Sequence, residues 1–149
     1  MSGFKYKVYI HESKDKGLGI FTREFIPKGS LVWTLTDDNH LAFEKTDFIK
    51  HISKITDIPH KQYTLNHIYV WKNKAILCLD NAELINHSSN PNLCEKSSDE
   101  KKGCWAVRDI QPNEELLDAY DKYETPEWYL LLCKEGQVES SKDVSEKYT

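Results

Sequence analysis

With 149 residues, the chain has room for one domain with a hydrophobic core of its own, and not for two separate catalytic domains. Hydrophobic residues make up 39% of the chain and charged residues 30%, and no apolar run approaches the ~20 residues of a membrane span, so we expect a globular domain without a transmembrane helix. The net charge of −4 disfavours non-specific binding to nucleic acid and suits a basic partner better.

The first third of the chain predicts strands. Apolar and polar residues alternate over residues 4–11, which is typical of a half-buried strand. Lysines interrupt this stretch, so it lacks the unbroken apolar segment of a secretory signal, and we expect an intracellular protein, in cytoplasm or nucleus. Residues 20–25 lead through a tight turn at residues 26–29 into a second strand at residues 31–35.

The middle of the chain predicts one helix and a hairpin. Between residues 43 and 55, apolar side chains recur at intervals of three and four, which places them on one helical face. The apolar runs 68–71 and 75–79 flank a short polar loop and therefore predict a β-hairpin. A further strand is predicted at residues 104–107.

A second helix is predicted near the carboxyl end. Thr125, Pro126 and Glu127 supply an N-cap, a first-turn proline and an early acid, and Gly136 is a natural stop. The polar residues after it predict a mobile tail. We therefore assign residues 1–136 to one domain and residues 137–149 to a flexible tail.

Two glycines in Lys16-Gly17-Leu18-Gly19 let the backbone turn sharply and approach a ligand closely, because no Cβ is in the way. Taken alone, such a pair between two strands is more often only a turn. The segment becomes informative only in combination with the next two.

Residues 80–92 are dense in amide, imidazole and hydroxyl groups, including Asn86 and His87. Such groups both donate and accept hydrogen bonds, which suits an adenine edge or an amino-acid carboxylate. An Asn- and Ser-rich turn explains the same composition equally well.

The third segment, residues 110–124, passes from a turn into a short apolar stretch that ends at Tyr120. Considered by itself, Tyr120 is more often a core aromatic residue with its hydroxyl at the surface.

In this order and spacing the three segments resemble the SET-domain lysine methyltransferases. The sequences KGLGIF, ELINHSSNPN and NEELLDAY are similar to the glycine turn, the asparagine-histidine motif and the closing tyrosine motif of that family. IPKGSLVW and AVRDIQPNEEL are also typical of it. The likeness extends from Tyr6 to Gly136 and is strongest to short, free-standing SET-only proteins.

The resemblance implies a mainly β (α+β) fold, a β-clip of small curved sheets with a knot-like crossing and two or three short helices. It also implies S-adenosylmethionine as cofactor, S-adenosylhomocysteine as product and a lysine-containing protein as substrate, with a histone tail as one candidate. Tyr120 is then the catalytic residue. The residues implied to bind the cofactor are Lys16, Gly17, Leu18, Gly19, Asn86, His87, Tyr120 and, by stacking on adenine, Trp128.

The chain departs from the family pattern at several places. It has no cysteine cluster, so residues 128–133 are expected to close the site in place of a zinc module. Asp118 stands where many relatives carry the Phe or Tyr that controls how many methyl groups are added, so that number is not predicted. Substrate and oligomeric state are not predicted either.

Two other functions remain open at this stage. One is a protein-binding module that keeps the fold without turnover. The other is a metal-dependent hydrolase using His87, His67 or Cys94, although no HExxH or paired-cysteine spacing favours a metal site. The four cysteines are widely spaced, and we expect them to be free thiols.

Overall fold

The computed structural model describes residues 2–14, 16–98 and 101–147. In that part of the chain the fold is built mainly from short strands in small sheets, as the sequence predicts. The strands are β1 (Val8–Ser13), β2 (Gly17–Thr22), β3 (Leu31–Thr34), β4 (His40–Phe43), β5 (Ile68–Trp71), β6 (Lys74–Cys78), β7 (Asn86–His87), β8 (Leu93–Ser97), β9 (Lys102–Ala106) and β10 (Leu117–Asp118).

These strands form separate small sheets. Antiparallel β1 and β2 form one, β3, β9 and β8 form a second in that order, and β4, β6 and β5 form a third. The fourth is a parallel pair, β7 with β10, in which Asn86 lies opposite Leu117 and His87 opposite Asp118. This parallel pair joins two chain segments whose paired residues are 31 positions apart in sequence, and it contains Asn86 and His87, two of the residues predicted to bind the cofactor.

Four α-helices occur in the described residues, against the two or three predicted: α1 (Lys45–Lys54), α2 (Ile58–Asn66), α3 (Glu127–Glu135) and α4 (Ser141–Lys147). The prediction of α1 is confirmed, since Phe48 and Ile52 are its buried residues. The prediction of α3 is confirmed too, with Gly136 at its C-cap. Two 3-10 turns, at Ala82–Leu84 and Tyr120–Lys122, flank the parallel pair.

The hairpin predicted at residues 68–79 is confirmed. β5 and β6 pair antiparallel, and Trp71 lies opposite Lys74. Lys72 and Asn73 between them have φ values of 52° and 58°. Positive φ at both central residues is what a type I′ turn requires, and this turn matches the twist of the strands that it joins.

The first strand begins later than predicted. Residues 4–11 alternate as a strand does, but Phe4 bridges to Trp33 and the Lys5 amide donates to the Val32 carbonyl at 2.8 Å. These first residues therefore lie along β3, and only the part from Val8 onward pairs with β2. The alternation predicted for residues 4–11 is present, but its first residues lie along β3 and its later residues pair with β2.

Two hydrophobic clusters hold the fold together. The first lies between the sheets and consists of Ile20, Ile26, Val32, Trp33, Cys78, Ile85, Leu93, Cys104, Ala106, Ile110 and Leu116. The second joins the helices to β5 and β6 and consists of Phe48, Ile52, Leu65, Ile68, Val70, Ala75, Trp128, Tyr129 and Cys133. The parallel pair lies beside the first cluster, through Ile85 and Leu116.

The segment after Gly136 contains a helix where the sequence predicts only a polar tail. Ser140 is 1% exposed, and its hydroxyl and amide both contact the Asp143 carboxylate at 3.0 Å. The Ser141 amide donates to the Tyr129 hydroxyl at 2.9 Å, which fixes α4 to α3. Residues 148 and 149 of the predicted tail lie outside the described residues, and the domain boundary at 136 stays a prediction.

None of the helices in the described ranges combines the length and the apolar character that crossing a bilayer requires.

Candidate active site

The asparagine-rich segment is tied to the tyrosine segment by its own amides. The Asn92 side chain is 1% exposed; its Nδ2 donates to the Glu115 carbonyl at 2.7 Å, and its Oδ1 accepts from the Leu117 amide at 2.8 Å. The Ser88 amide donates to the Asp118 carbonyl at 2.9 Å. These bonds explain the density of amide groups better than a simple turn does, because they hold two distant segments side by side.

The glycine segment joins the same assembly through Asn86. Its Nδ2 donates to the Leu18 carbonyl and to Glu115 Oε2, both at 3.0 Å, while Glu115 Oε1 accepts from the Ser13 hydroxyl at 2.6 Å. A Cβ at Gly19 would lie 2.5 Å from Glu115 Oε2, so no larger residue fits there without displacing that carboxylate. Glu115 is therefore a site residue that sequence analysis missed.

His87 and Lys16 close the connection between the segments. His87 is 6% exposed, and its Nδ1 accepts from the Tyr120 amide at 3.1 Å. Lys16 Nζ donates to the His87 carbonyl at 3.0 Å. The imidazole thereby helps to fix the backbone of Tyr120, and the lysine lies where the glycine segment meets the parallel pair.

Tyr120 lies at the centre of this arrangement. Its hydroxyl donates to the Ile85 carbonyl, its ring stacks on Tyr123 with centroids 5.2 Å apart, and the His87 ring lies tilted against it at 5.3 Å. Burial, with a further contribution from the charge on Asp118, raises the pKa of the Tyr120 phenol well above its usual range. The phenol therefore stays protonated at neutral pH and acts as a hydrogen-bond donor rather than as a base.

A cavity of about 710 Å³ opens beside these groups, within the size range of small-molecule sites. Six of the eight residues predicted to form the site line it: Lys16, Gly17, Leu18, Asn86, His87 and Tyr120. Gly17 has a φ of +76° and open space where a Cβ would be. Gly19 lies behind the wall, against Asn86 and Glu115.

Trp128 is not brought to this cavity. Its indole is 9% exposed in the second cluster, edge-on to Phe48 at 6.4 Å, and its Nε1 donates to Asn73 Oδ1 at 2.9 Å. The stacking role predicted for Trp128 does not fit this position, because its ring is already covered by protein. The cavity wall also carries the rings of Tyr63 on α2 and of His67 directly after it, which stack with centroids 4.0 Å apart.

The carboxyl-terminal segment supplies another wall. Gln137, Val138, Glu139 and Val144 line the cavity, and α4 packs against the 3-10 turn that carries Tyr120. The sequence predicted that residues 128–133 would close the site. The residues that line it lie just beyond that stretch.

A smaller pocket of about 100 Å³ adjoins the larger cavity. Its lining is rich in aromatic rings, including Tyr69, Tyr123 and Tyr129, and its charged residues include Glu95, Lys102 and Asp118. The residues that line both spaces are Asn66, His67, Glu83, Tyr120, Glu139 and Val144. Tyr120 is thus one of the residues at the boundary between the two spaces.

Asp118 is an unusual residue in this lining, since its carboxyl group is 1% exposed. Its Oδ1 accepts from the Ala119 amide at 2.8 Å and its Oδ2 from the Tyr123 hydroxyl at 3.1 Å. Burial outweighs these bonds and raises the pKa of Asp118 from 3.8 to about 6. The folded protein therefore binds this proton more tightly than the unfolded chain does.

We expect Asp118→Asn to stabilise the protein at pH 8 and to have little effect at pH 4. A raised carboxyl pKa means that ionisation between about pH 4 and pH 6 destabilises the folded state, and the penalty is complete above the folded pKa. This rise in the Asp118 pKa corresponds to a loss of folding free energy of roughly 1 to 3 kcal/mol when the carboxyl group is ionised. Urea unfolding at both pH values measures the difference, with the exposed Asp121→Asn as control; equal differences at pH 4 and pH 8 would contradict the assignment.

Within the described ranges, no three His, Cys, Asp or Glu side chains are grouped so that they could hold a metal ion. Cys78, Cys94, Cys104 and Cys133 are free thiols. The metal-dependent hydrolase considered from the sequence therefore has no donor set to support it in that part of the chain.

Two solved structures align with this fold. A Plasmodium falciparum protein assigned as a histone methyltransferase aligns with a TM-score of 0.57 and 23% identity, over 84% of this chain and 99% of that one. The methyltransferase domain of human histone-lysine N-methyltransferase SETMAR aligns with a TM-score of 0.56 and 24% identity, over 78% of this chain and 45% of that one. At these identities the likeness shows a shared fold.

The sequence also matches a protein-family model. The family model described as "SET domain" matches residues 17–121, which is more than half of the chain. The chain therefore belongs to the SET-domain family. No curated protein sequence matches it at a significant level.

Proposed function

We propose that the protein is a protein-lysine N-methyltransferase that uses S-adenosylmethionine. The observation that carries this proposal is that Tyr120 lines two adjoining spaces: a cavity large enough for a nucleoside cofactor and a smaller, ring-lined pocket suited to an amine. A transfer between two bound molecules needs such an arrangement, because the reacting atoms must approach along one line.

The residues around the large cavity fit the proposed cofactor. Lys16 Nζ lies at the glycine segment and would pair with the carboxylate of the methionine part. Tyr63 and His67 present stacked rings on which an adenine could lie, and Asn86 holds the segment in place. When bound, S-adenosylmethionine would supply a methyl group already activated by a positively charged sulfur.

The protein's own residues would have to hold the substrate lysine in its neutral form and orient its amine toward the methyl group. A free lysine has a pKa near 10.4, so only about 0.4% of it is unprotonated at pH 8. The rings of Tyr69, Tyr123 and Tyr129 reduce the hydration of an amine in the small pocket, which disfavours its charged form. Above pH 6 the Asp118 carboxylate favours the charged form of the substrate amine, because it attracts an ammonium ion. It would therefore help the protonated substrate lysine to bind before that lysine loses its proton.

Tyr120 would position the amine once it is neutral. Its hydroxyl stays protonated and donates to the Ile85 carbonyl, so its oxygen can accept a hydrogen bond from the amine at a fixed place. The chain therefore contributes orientation and desolvation, and no side chain needs to form a covalent intermediate.

The direct test is methyl transfer from radiolabelled S-adenosylmethionine to mixed histones and to a whole-cell lysate, followed by mass spectrometry of the modified residue. We expect label on a lysine Nε, at a rate that rises between pH 7 and pH 9 as more amine becomes neutral. Histones are included because the structural neighbours are histone methyltransferases. Cofactor binding without label on any substrate would favour the protein-binding module instead.

A further inference from the structure

Lys102 carries a buried positive charge that the proposed reaction does not use. Its side chain is 3% exposed and its Nζ forms an ion pair with Glu95, whose side chain is 10% exposed. Both residues line the small pocket. A lysine is rarely buried to this extent unless its surroundings bind the ammonium group specifically.

Three aromatic rings surround this ammonium group. Lys102 Nζ lies 4.9 Å from the ring centre of Tyr69, 5.7 Å from that of Trp71 and 5.8 Å from that of Tyr123. All three distances are within cation–π range, and such boxes of rings recognise alkylammonium groups. With the Glu95 carboxylate, the rings form a complete binding site for an ammonium ion; we call Tyr69, Trp71, Tyr123 and Glu95 the ammonium box.

The ammonium box is continuous with Tyr120. The ring of Tyr123 stacks between Tyr69, 5.5 Å away, and Tyr120, 5.2 Å away. A substrate lysine that enters the small pocket therefore meets a site of the right chemistry that already holds the chain's own lysine. Only one of the two ammonium groups can occupy the box, since two like charges in one buried site repel each other strongly.

We propose that Lys102 is a built-in competitor for the substrate lysine: its ammonium group occupies the ammonium box at rest, and the pocket becomes available when the ion pair with Glu95 separates. This proposal rests on the proposed function and adds a form of self-inhibition to it. Only the side chain has to move, because the Lys102 carbonyl is held by the Leu35 amide at 2.9 Å and the Thr34 hydroxyl at 3.1 Å.

The first test asks whether the box binds an alkylammonium ion when Lys102 is absent. Lys102→Ala removes Cγ, Cδ, Cε and Nζ, which are the atoms of n-propylammonium. We expect n-propylammonium chloride to raise the melting temperature of this variant and to change its tryptophan fluorescence through Trp71. The wild type and the matched control Lys101→Ala, whose exposed lysine lies 5.9 Å from the Trp105 ring, should not respond. The same response in all three proteins, or none in Lys102→Ala, would overturn the proposal.

The second test measures competition with the substrate. If Lys102 occupies the box most of the time, the apparent affinity for a lysine peptide is lowered by the fraction of molecules that are open. We expect Lys102→Ala, which empties the ammonium box and leaves the Glu95 carboxylate in place, to show a KM for a lysine peptide at least fivefold below that of the wild type. An unchanged or higher KM would mean that the pair is purely structural and would end the proposal.

The two tests separate this inference from the proposed function. Binding of n-propylammonium requires no methyl transfer, so it decides whether the box exists even in an inactive protein. If the wild type and all variants lack transferase activity, the proposed function fails, and the competitor role fails with it. If Lys102→Ala does not fold even with n-propylammonium, the same KM comparison on Lys102→Thr decides the matter, because its short β-branched side chain suits a strand and leaves both the box and Glu95 open to substrate.

Discussion

Tyr120→Phe is expected to lower the rate of methyl transfer at least ~100-fold, while the fold and cofactor binding stay nearly unchanged. The substitution removes one oxygen atom from a residue that lines both the large cavity and the small pocket. The ring keeps its stacking on Tyr123 and its tilted contact with His87. Only the hydrogen bond to the Ile85 carbonyl is lost from the fold itself.

Single-turnover rates and calorimetric binding of S-adenosylmethionine measure the two parts of this prediction separately. Tyr9→Phe is the matched control, since it also removes one phenol oxygen, but from an exposed bond to Asn113 on the far side of β1. A Tyr120→Phe rate within threefold of the wild type would exclude the hydroxyl from the mechanism. A hundredfold loss of cofactor affinity would instead give Tyr120 a binding role.

Asn86→Asp should weaken cofactor binding at least ~100-fold and destabilise the fold by roughly 2 to 4 kcal/mol. The amide Nδ2 donates to the Leu18 carbonyl and to Glu115 Oε2, and an aspartate presents an oxygen to both acceptors. Two carboxylates about 3 Å apart repel by roughly 5 kcal/mol at an effective dielectric constant of about 20, unless one takes up a proton. The glycine segment should therefore separate from the parallel pair.

Urea unfolding and calorimetric titration with S-adenosylmethionine measure these effects. Asn90→Asp introduces the same charge at an exposed position of the same segment, and we expect both measurements on it to match the wild type. The destabilisation of Asn86→Asp should also shrink at pH 4, where one of the two carboxyl groups is protonated. Wild-type affinity in Asn86→Asp would show that Asn86 does not organise the cavity.

The sequence predicts elements well where one face of a regular pattern is buried. The helix around Phe48 and Ile52 and the hairpin at residues 68–79 are both correct for this reason. α2 was missed because its buried residues, Thr64 and Leu65, are neighbours and show no helical repeat. Asp57, which accepts from the His60 amide at 2.9 Å, and the proline after Ile58 were the available signal, since an N-cap and an early proline mark a helix start.

For the site, the sequence indicates which segments contribute to it, but not which side chains line the cavity. Gly17, Asn86, His87 and Tyr120 belong to motifs with recognisable spacing and line the same cavity, and their roles stay predictions. Trp128 was misplaced because a tryptophan on a helix can face the core or a cavity, and its bond to Asn73 on a hairpin turn cannot be foreseen from the helix alone.

Lys102 could not have been found from the sequence. It follows Lys101 in a charged stretch, so it looks like a surface residue, and only the antiparallel pairing of β8 with β9 turns its side chain inward toward Glu95. The rings that surround it come from β5 and from the turn after Tyr120, more than twenty residues away in either direction. Contacts of this kind depend on topology rather than on local pattern.

The wall that Val138, Glu139 and Val144 add to the cavity has a consequence for biosynthesis. The ribosome makes these residues, together with Ser141 of the small pocket, after every other residue that lines either space, and an amino-terminal portion of a chain can fold before the rest emerges. The sheets and the Tyr120 turn can thus assemble while translation continues, with one side of the large cavity still missing. Under the proposed function, a nascent chain therefore transfers no methyl group until residues 138–144 have left the exit tunnel.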